Sequence, residues 1–584
     1  MFMLQTLVMP HLDFTAPEDM YVRLHTTEVS ASLKDQKLVF RQHGRASFDT
    51  YFNSVSVGVW KKNCKIDDIG ITLRGEGEFI LRYGLHRIGH AHVWLDEQRV
   101  TLTERDQYFS FDRWQDLDGG MLYIYLESVF GGSLYGGGWV TSTPSVRDVK
   151  LGIVITHFNR KNYVIPAIKR IKKQLLDDSA FSGKIELVVV DNSRNLTSEE
   201  TCWVTLIPNQ NLGGSGGFMR GLLHLKDNHS FTHCLFMDDD ASCEIESIRR
   251  AYRLLSYSFD DALSIAGGLL RELEPNKLLE KGAMFNGFVR QFKSGLNMSD
   301  VSDLLRADFI DFIPQYGAWF FFAFPIGHVK SYAFPYFVRG DDIAFGLSNG
   351  FTIATMNGIG VWGDDFALKA GPMPNYLDTR NHLLNGIVFN DLDYASIKKI
   401  ADHFVIKQLY SYNYASARAC RYAVQHIMKG PEFFNQHIGM SELRNEISSF
   451  SASEHVVPVD RKQFVISPPE RAGWFREFVR RYSLNGFLVP GLFFNKETYL
   501  FQHKGFMADL RNIFLRSKVL YEYEPFHVGY VAVHDKKRFF KEYWTYLSVM
   551  RDFKKKFSGT KQKWSEGFPR MTSEQFWRDV YKDE

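Results

Sequence analysis

The chain has 584 residues, a formal net charge of +3, 45% hydrophobic and 23% charged residues, the balance of a soluble globular protein too long for one hydrophobic core. So small a charge argues against nucleic acid as a partner, and no recognised nucleic-acid module is present. The five cysteines, Cys64, Cys202, Cys234, Cys243 and Cys420, form no Cys-x-x-Cys pair. That excludes a zinc ribbon or disulfide framework and points to a reducing compartment.

Residues 1–10 lack a basic flank and a small-residue cleavage site, so no secretory signal is expected. Residues 1–148 read as β structure, with runs such as 70–81 and 121–127 between Gly and Asp clusters. They predict a β-sandwich or jelly roll that holds a glycan or supports a neighbour. The glycine-rich stretch 131–139 reads as loop. No run reaches the ~20 apolar residues of a membrane-spanning helix, and the expected location is the cytoplasm.

Residues 149–385 predict an α/β domain. A β-branched run at 151–155 stops at Thr156-His157-Phe158-Asn159-Arg160 and is followed by an amphipathic stretch, a strand-loop-helix unit. A second unit at 185–193 carries Asp191 at the carboxyl end of its strand. Ligands of open α/β sheets bind along that edge, which puts Asp191 in place to accept the imide N–H of a uracil; a turn or helix cap is the alternative. The next segment, Asn209 to Gly221, contains Asn211, Gly213 and Gly214 and leads into a helical pattern. Its glycines allow close backbone approach, and a helix amino terminus offers N–H groups to a phosphate or sugar hydroxyl. It is neither a Walker loop nor a dinucleotide fingerprint.

The apolar run 233–237 then ends in Asp238-Asp239-Asp240. A strand period of two puts Asp238 and Asp240 on one side and Asp239 on the other. Two close carboxylates repel unless a cation or proton lies between them, so the pair suits Mg²⁺ or Mn²⁺. A solvated acidic turn is the bland alternative. Farther on, the aromatic run 316–322 with Trp319 offers faces for stacking on sugars, and Asp341-Asp342 offers a carboxylate to deprotonate an acceptor hydroxyl. Core aromatics and a helix-capping acidic pair are the alternatives there.

Residues 386–584 predict a mainly helical domain, with apolar positions at three- and four-residue spacing over 395–429 and an interruption at Pro431. The tail 536–563 interleaves ten Lys and Arg residues with Phe539, Phe540, Tyr543, Trp544, Tyr546 and Phe557. A basic aromatic helix of this kind can lie on anionic lipid, each cation contributing about 1 kcal/mol; a solvated helix face is the alternative.

The ordered set Thr156 to Arg160, Val190-Asp191-Asn192, Asn211 to Phe218, Asp238-Asp239-Asp240, Arg339-Gly340-Asp341-Asp342 and Val361-Trp362 resembles the bacterial galactofuranosyltransferases of the inverting GT-A type. The resemblance, family 2-like and notably to the polymerising mycobacterial type, also reaches Phe48 to Asn53 and Trp60. It implies a central GT-A fold that transfers galactofuranose from UDP-galactofuranose to a cell-surface glycan, oligosaccharide or lipid-linked. Asp342 would be the general base with Asp341 beside it, and Asp238 and Asp240 would ligate the metal. Thr156, Arg160, Asp191, Asn211, Gly213, Gly214 and Asp239 would form the nucleotide side, and Trp319 and Trp362 would stack on sugar or acceptor. One departure stands out, because the family places a metal-binding histidine after the Val-Trp pair and this chain has Gly363-Asp364-Asp365. Asp364, Asp365 or water then completes the Mn²⁺ or Mg²⁺ shell. Transfer of rhamnose or galactopyranose, and an inactive carbohydrate-binding scaffold, are the competing functions. An acceptor of that class suits docking on the inner face of the cytoplasmic membrane. The acceptor, the linkage, single addition against polymerisation, and the oligomeric state stay open at this stage.

Overall fold

The computed structural model describes residues 1–13, 16–364, 369–450, 454–468, 473–505 and 508–582. Two long antiparallel strands, Ile69–His86 and Met121–Thr141, form the spine of the amino-terminal module. Met121–Thr141 takes Ile69–His86 on one edge and Val55–Ser56, Arg45–Ser47, Lys37–Arg41 and Phe2–Thr6 in succession on the other. The β module is therefore one ten-stranded hydrogen-bonded network rather than two separately paired sheets.

The glycine-rich stretch expected to be a loop lies inside this spine. Its register shifts fall between Ser128 and Gly132 and between Leu134 and Gly136, bulges that bend a strand. At Gly137 an added Cβ would sit 2.1 Å from the Thr72 carbonyl oxygen. Glycine is there because the partner backbone leaves no room.

The central domain is built on a seven-stranded sheet. Its order is Thr205–Pro208, Ile185–Asp191, Leu151–His157, His233–Asp238, Phe322–Pro325, Leu263–Ala266, Thr352–Ala354. The first four are parallel, as continuous apolar runs dictate when helices cover both faces. Chain order reverses between Leu151–His157 and His233–Asp238, which opens a crevice at their carboxyl ends, the ligand position of such sheets. A small sheet of Leu278–Glu280, Gly268–Arg271 and Gly360–Gly363 flanks it.

The β module and the central domain share one core, running from Leu4 and Trp60 to Ile265 and Val361. A charge network crosses the same boundary. Glu246, buried on helix Ile245–Tyr257, accepts from the Thr6 amide at 2.7 Å, Arg253 at 3.0 Å and Arg250 at 3.3 Å. Arg250 is fully buried and also donates to the Phe52 carbonyl. Removing one partner of a buried ion pair strands the others. Glu246→Ala should therefore cost about 3–5 kcal/mol, read from the midpoint of urea unfolding.

In the carboxy-terminal region, helices Pro372–Val388, Tyr394–Tyr410 and Tyr414–Lys429 pack with the long helix Lys536–Met571. The boundary expected at 385/386 falls within Pro372–Val388. Of the aromatics expected on lipid, the long helix buries Phe539 and Tyr546 and packs Phe540, Tyr543 and Phe557 partly against the core, while Trp544 is 59% exposed. A five-stranded sheet, unexpected from the helical pattern, joins Val457–Pro458, Val528–Val533, Lys518–Tyr523, Tyr499–His503 and Ile466–Ser467. The last helix, Glu574–Lys582, returns to the central domain, where Trp577 donates to the Ala333 carbonyl at 2.8 Å and Arg578 pairs with Asp227. Among the described residues no helix is long and apolar enough to cross a membrane.

Candidate active site

Sheet register gathers the first candidates. Thr156 is the neighbour of Asp238 on one side and of Val190 on the other, and His157 pairs with Asp191. All lie at the carboxyl edge where the strand order reverses.

The strand ends at Asp238, and the next two carboxylates share Arg160 but differ in their other partners. Asp239 is buried and accepts from His157 Nδ1 at 3.2 Å, the Phe158 amide at 3.3 Å and Arg160 at 3.4 Å. It thereby fixes the 157–160 loop. Asp240 accepts from Arg160 and, at 3.0 Å, from Lys369. Burial works against its charge, but Lys369 and Arg160 outweigh that and hold its carboxyl below the ordinary value. Asp238 accepts no such bond among the described residues, and Lys369 offsets its burial only in part. Burial, with Asp240 and Asp239 adding to it, pushes Asp238 up to about 7.

An uncompensated carboxylate beside a second one is the donor set that a hard divalent cation satisfies. Asp238 and Asp240 would supply two oxygen ligands to Mn²⁺ or Mg²⁺. Among the described residues no group of three His, Cys, Asp or Glu side chains is arranged to hold a metal, so a third ligand is not preformed. Asp364 is nevertheless brought to the same edge. Strand Gly360–Gly363 pairs in parallel with Gly268–Arg271, and Trp362 exchanges backbone hydrogen bonds with Ser242. Lys369 then lies 3.8 Å from Asp364 and 3.0 Å from Asp240, linking the two acids. Asp365 lies outside the described residues.

The glycine run is helical from its start, Gly213–Asp227, and its glycines serve packing. Gly213 has φ +72° and an added Cβ would lie 2.0 Å from the Phe337 carbonyl oxygen. At Gly217 a Cβ would lie 2.7 Å from Thr156 Cγ2, and at Gly221 2.3 Å from Val154 Cγ1. The helix thus sits directly on the sheet and on the 337 loop. Two of its first amides already have acceptors, Asn211 Oδ1 for Gly213 at 3.1 Å and the Phe337 carbonyl for Ser215 at 3.1 Å. Gly214 borders the acidic pair, 3.8 Å from its Cβ position to Asp341 Oδ2.

Asp191 is buried and its carboxylate accepts from the Ser193 amide and hydroxyl, the Asn195 amide and the Leu196 amide, at 2.8–2.9 Å. Those bonds hold it charged against burial and shape its own loop, the capping role open to such a residue. Trp319 is buried among Phe218, Phe236 and Phe345, with ring centroids 5.1–5.6 Å away. Trp362 is buried against Phe52 and donates Nε1–H to the Pro275 carbonyl at 2.9 Å. Both indoles, expected to stack on sugar, lie in the core, where their area is largely spent on packing.

Asp341 and Asp342 open helix Asp341–Asn349 after Gly340, whose φ is +80°. Ser215 donates to Asp341 at 2.8 Å, joining the glycine helix to the acidic pair. Asp341 is raised to about 6, by burial first. Asp342 accepts the Ile343 amide at 2.8 Å. Burial, then Asp341, Glu280 and Asp238, hold its carboxyl well above the ordinary carboxylate range. Asp238 thus adds to the burial that raises Asp342, and the glycine helix links their two edges through Thr156 and Ser215.

The residues that set this loop come from sequence-distant elements and carry no local signal. Asn381 and Asn385, on helix Pro372–Val388, donate to the Val338 and Gly340 carbonyls at 3.2 Å each. Arg339 pairs with Asp378 of the same helix. Lys369 and Glu280 are further unforeseen members. Glu280 is buried, accepts from Gln291 at 2.8 Å and is pushed by burial up to about 7. Removing its charge should ease ionisation of Asp342. For Glu280→Gln the acid limb of the pH–rate profile should move to lower pH, and an unmoved limb would refute the influence.

Residues 152–302 match the model of Glycosyl transferase family 2. The chain is 24% identical over 426 residues to the galactofuranosyltransferase GlfT2 of Mycobacterium tuberculosis, covering 66% of this chain and 65% of that one. It is 24% identical over 430 residues to GlfT2 of Mycolicibacterium smegmatis, covering 66% and 64%. The matched region thus spans a little under two thirds of the length of these curated relatives. A crystal structure of GalNAc-T7 with UDP, GalNAc and Mn²⁺ overlaps 46% of this chain and 56% of its own, at a TM-score of 0.30 and 8% identity.

Proposed function

We propose, for a chain whose central domain belongs to glycosyl transferase family 2, that it transfers galactofuranose from UDP-galactofuranose to a hydroxyl of a cell-surface glycan, inverting the anomeric centre. The observation that supports this reading is the glycine helix Gly213–Asp227, which packs on Thr156, the sheet neighbour of Asp238, and bonds Asp341, next to Asp342, through Ser215. The similarity to enzymes named galactofuranosyltransferases supports the sugar.

In this reaction Asp342 accepts the acceptor hydroxyl proton as that oxygen attacks the anomeric carbon and the bond to UDP breaks. Its carboxyl, held above the ordinary range by burial and its acidic neighbours, is a stronger base than an ordinary carboxylate. Asp341, tied to Ser215, anchors the helix start that presents Asp342. Arg160 and Lys369 stand at the triplet, where a diphosphate can exchange with Asp240 for their N–H groups. Asp238 and Asp240 would hold Mn²⁺ or Mg²⁺, which supplies charge neutralisation to the departing diphosphate. Binding both partners in one crevice provides orientation without a covalent intermediate. The β module, continuous with the central core, is the candidate support for the acceptor glycan, and an enzyme of this kind would work on the cytoplasmic side.

A second donor is favoured by one observation. With Trp319 and Trp362 in the core, neither residue chosen to recognise the sugar ring is open to it, so rhamnose or galactopyranose would meet the same nucleotide and metal groups. The experiment is UDP or dTDP release by purified protein with UDP-galactofuranose, UDP-galactopyranose and dTDP-rhamnose, each with Mn²⁺, Mg²⁺ or chelator and a short galactan. Release that is selective for UDP-galactofuranose and needs acceptor and metal is expected. Selectivity for another donor would overturn the sugar assignment, and no release with any donor would favour the carbohydrate-binding scaffold.

A further inference from the structure

One face of the β module carries a row of rings that packing does not use up, and sheet register sets it. Trp94 on strand Val93–Leu102 stands opposite Gly84, which stands opposite Tyr123; Arg82 stands opposite Tyr125, itself opposite Ser47. Residues paired in this way, and those two positions along, share one face of a sheet. Gly84 leaves the space that the Tyr123 ring needs, since an added Cβ would lie 2.4 Å from Tyr123 Cζ. Tyr123 is buried, with His86 stacked on it at a centroid distance of 4.9 Å and its hydroxyl 2.6 Å from His92 Nε2. His92 in turn meets Trp94 edge-on at 4.5 Å. This packed set fixes the Trp94 indole, which is itself 48% exposed. Half-buried Tyr125 lies 5.4 Å from Trp94 and 5.6 Å from exposed His25. The three rings make an extended footprint, suited to a chain of units.

The charges beside the rings are matched in pairs. Arg82 lies over the Tyr125 ring at 5.5 Å and pairs with Glu97 and, at 3.1 Å, with Glu127, which also takes Arg45 at 3.2 Å. Arg23 pairs with Asp49 at 3.4 Å. Such pairs hold strong donors and acceptors side by side with little net field. A sugar matches both parts of this face, because its C–H side packs on an indole or phenol while its hydroxyls donate and accept. An anionic lipid or nucleic acid would meet the carboxylates, and a wholly apolar partner would bury the ion pairs without replacing their water. The face is also tied to the central domain. Arg23 donates to the Ser299 carbonyl at 2.7 Å, and Asp49 lies on the segment whose Phe52 packs against Trp362 at a centroid distance of 5.9 Å.

We propose that the face of Trp94, Tyr125 and His25 is a binding site for a neutral oligosaccharide chain, and that it holds part of the acceptor away from the reacting hydroxyl. Oligosaccharide binding itself assumes nothing about the reaction; the acceptor role rests on the reading of this chain as a glycan-building transferase. The face offers the open stacking surface that Trp319 and Trp362, both in the core, do not. The ion pairs with Arg82, Arg45 and Arg23 place hydrogen-bonding groups along the row, where successive sugars would meet them.

The test is calorimetric titration of the full chain, without donor, with short and long neutral oligosaccharides of galactan, mannan and glucan and with an oligogalacturonate of matched length. At least one neutral series should bind, its long form more tightly than its short form and more tightly than the oligogalacturonate. Trp94→Ala, at an exposed position, should weaken the long neutral chain about tenfold or more, and Trp94→Phe, which keeps a ring, should recover much of the loss. In transfer assays Trp94→Ala should raise KM for the long acceptor by a similar factor while leaving kcat, and KM for the short acceptor, within about twofold. A parent that binds no neutral oligosaccharide, binding that Trp94→Ala leaves unchanged, or tighter binding of the oligogalacturonate would overturn the proposal. So would a parent dimer that Trp94→Ala converts to monomer while no oligosaccharide binds, which would give the face to a second copy. Trp94-dependent binding in a chain that releases nucleotide from no donor would uphold the site and sink the transferase reading instead.

Discussion

Asp342→Asn is expected to lower turnover by about 10²–10⁴-fold while leaving UDP binding within about twofold. The amide keeps the size and the Ile343 amide bond of the acid but cannot take a proton. Asn also relieves the crevice of one negative charge, so Asp341 and Asp238 should ionise at lower pH than in the parent. The parent rate should rise with pH through the raised value of the Asp342 carboxyl, because only its charged form is a base. The variant's residual rate should have lost that limb. Steady-state kinetics across pH, with UDP affinity by calorimetry, separates the two effects. Parental turnover in the variant would remove Asp342 from the base role. Asp341→Asn provides the contrast: it alters the Ser215 tie, so its loss should follow misplacement of the helix start and should not remove the pH limb of Asp342.

Much of this site is visible in the chain because parallel strands covered on both faces are continuous apolar runs. The residue that ends each run then lies at the ligand edge, and Asp191 and Asp238 end two of them. What the sequence does not carry is the identity of long-range neighbours. Gly213 and Gly217 read as ligand-approach glycines, but their constraint is the Phe337 carbonyl and Thr156. Trp319 and Trp362 read as sugar platforms because burial of an indole has no local signature. Lys369, Glu280 and the pair Asn381 and Asn385 arrive from three separate elements or loops, and none sits in a pattern that spacing could single out. Helix Lys536–Met571 shows the same limit for surfaces, since an alternation of cations and aromatics does not say which of them faces the core.

Asp238→Asn should abolish metal-dependent UDP binding, weakening it about 100-fold or more, and should change stability in a direction opposite to that of a lost ion pair. In the metal-free protein Asp238 is raised from 3.8 to about 7 by burial and by its acidic neighbours. A raised acid contributes its full stability below the unfolded value, and that contribution is lost as pH rises through the folded one. Between about pH 4 and about pH 7 the metal-free parent should thus become progressively less stable from this group, because folding forces a charge into a site that disfavours it. Asn does not titrate, so the decline in Tm over that window should be shallower in the variant. Mn²⁺ reverses the parent's penalty by displacing the proton, and its stabilising effect should grow from about pH 6 to about pH 8 in the parent and be absent in the variant. Thermal scans with and without Mn²⁺ at both pH values, alongside UDP titrations, measure the two consequences of one carboxylate. If Mn²⁺ stabilised the Asn variant as much as the parent at the higher pH, the cation would be held elsewhere and the role of Asp238 would fall.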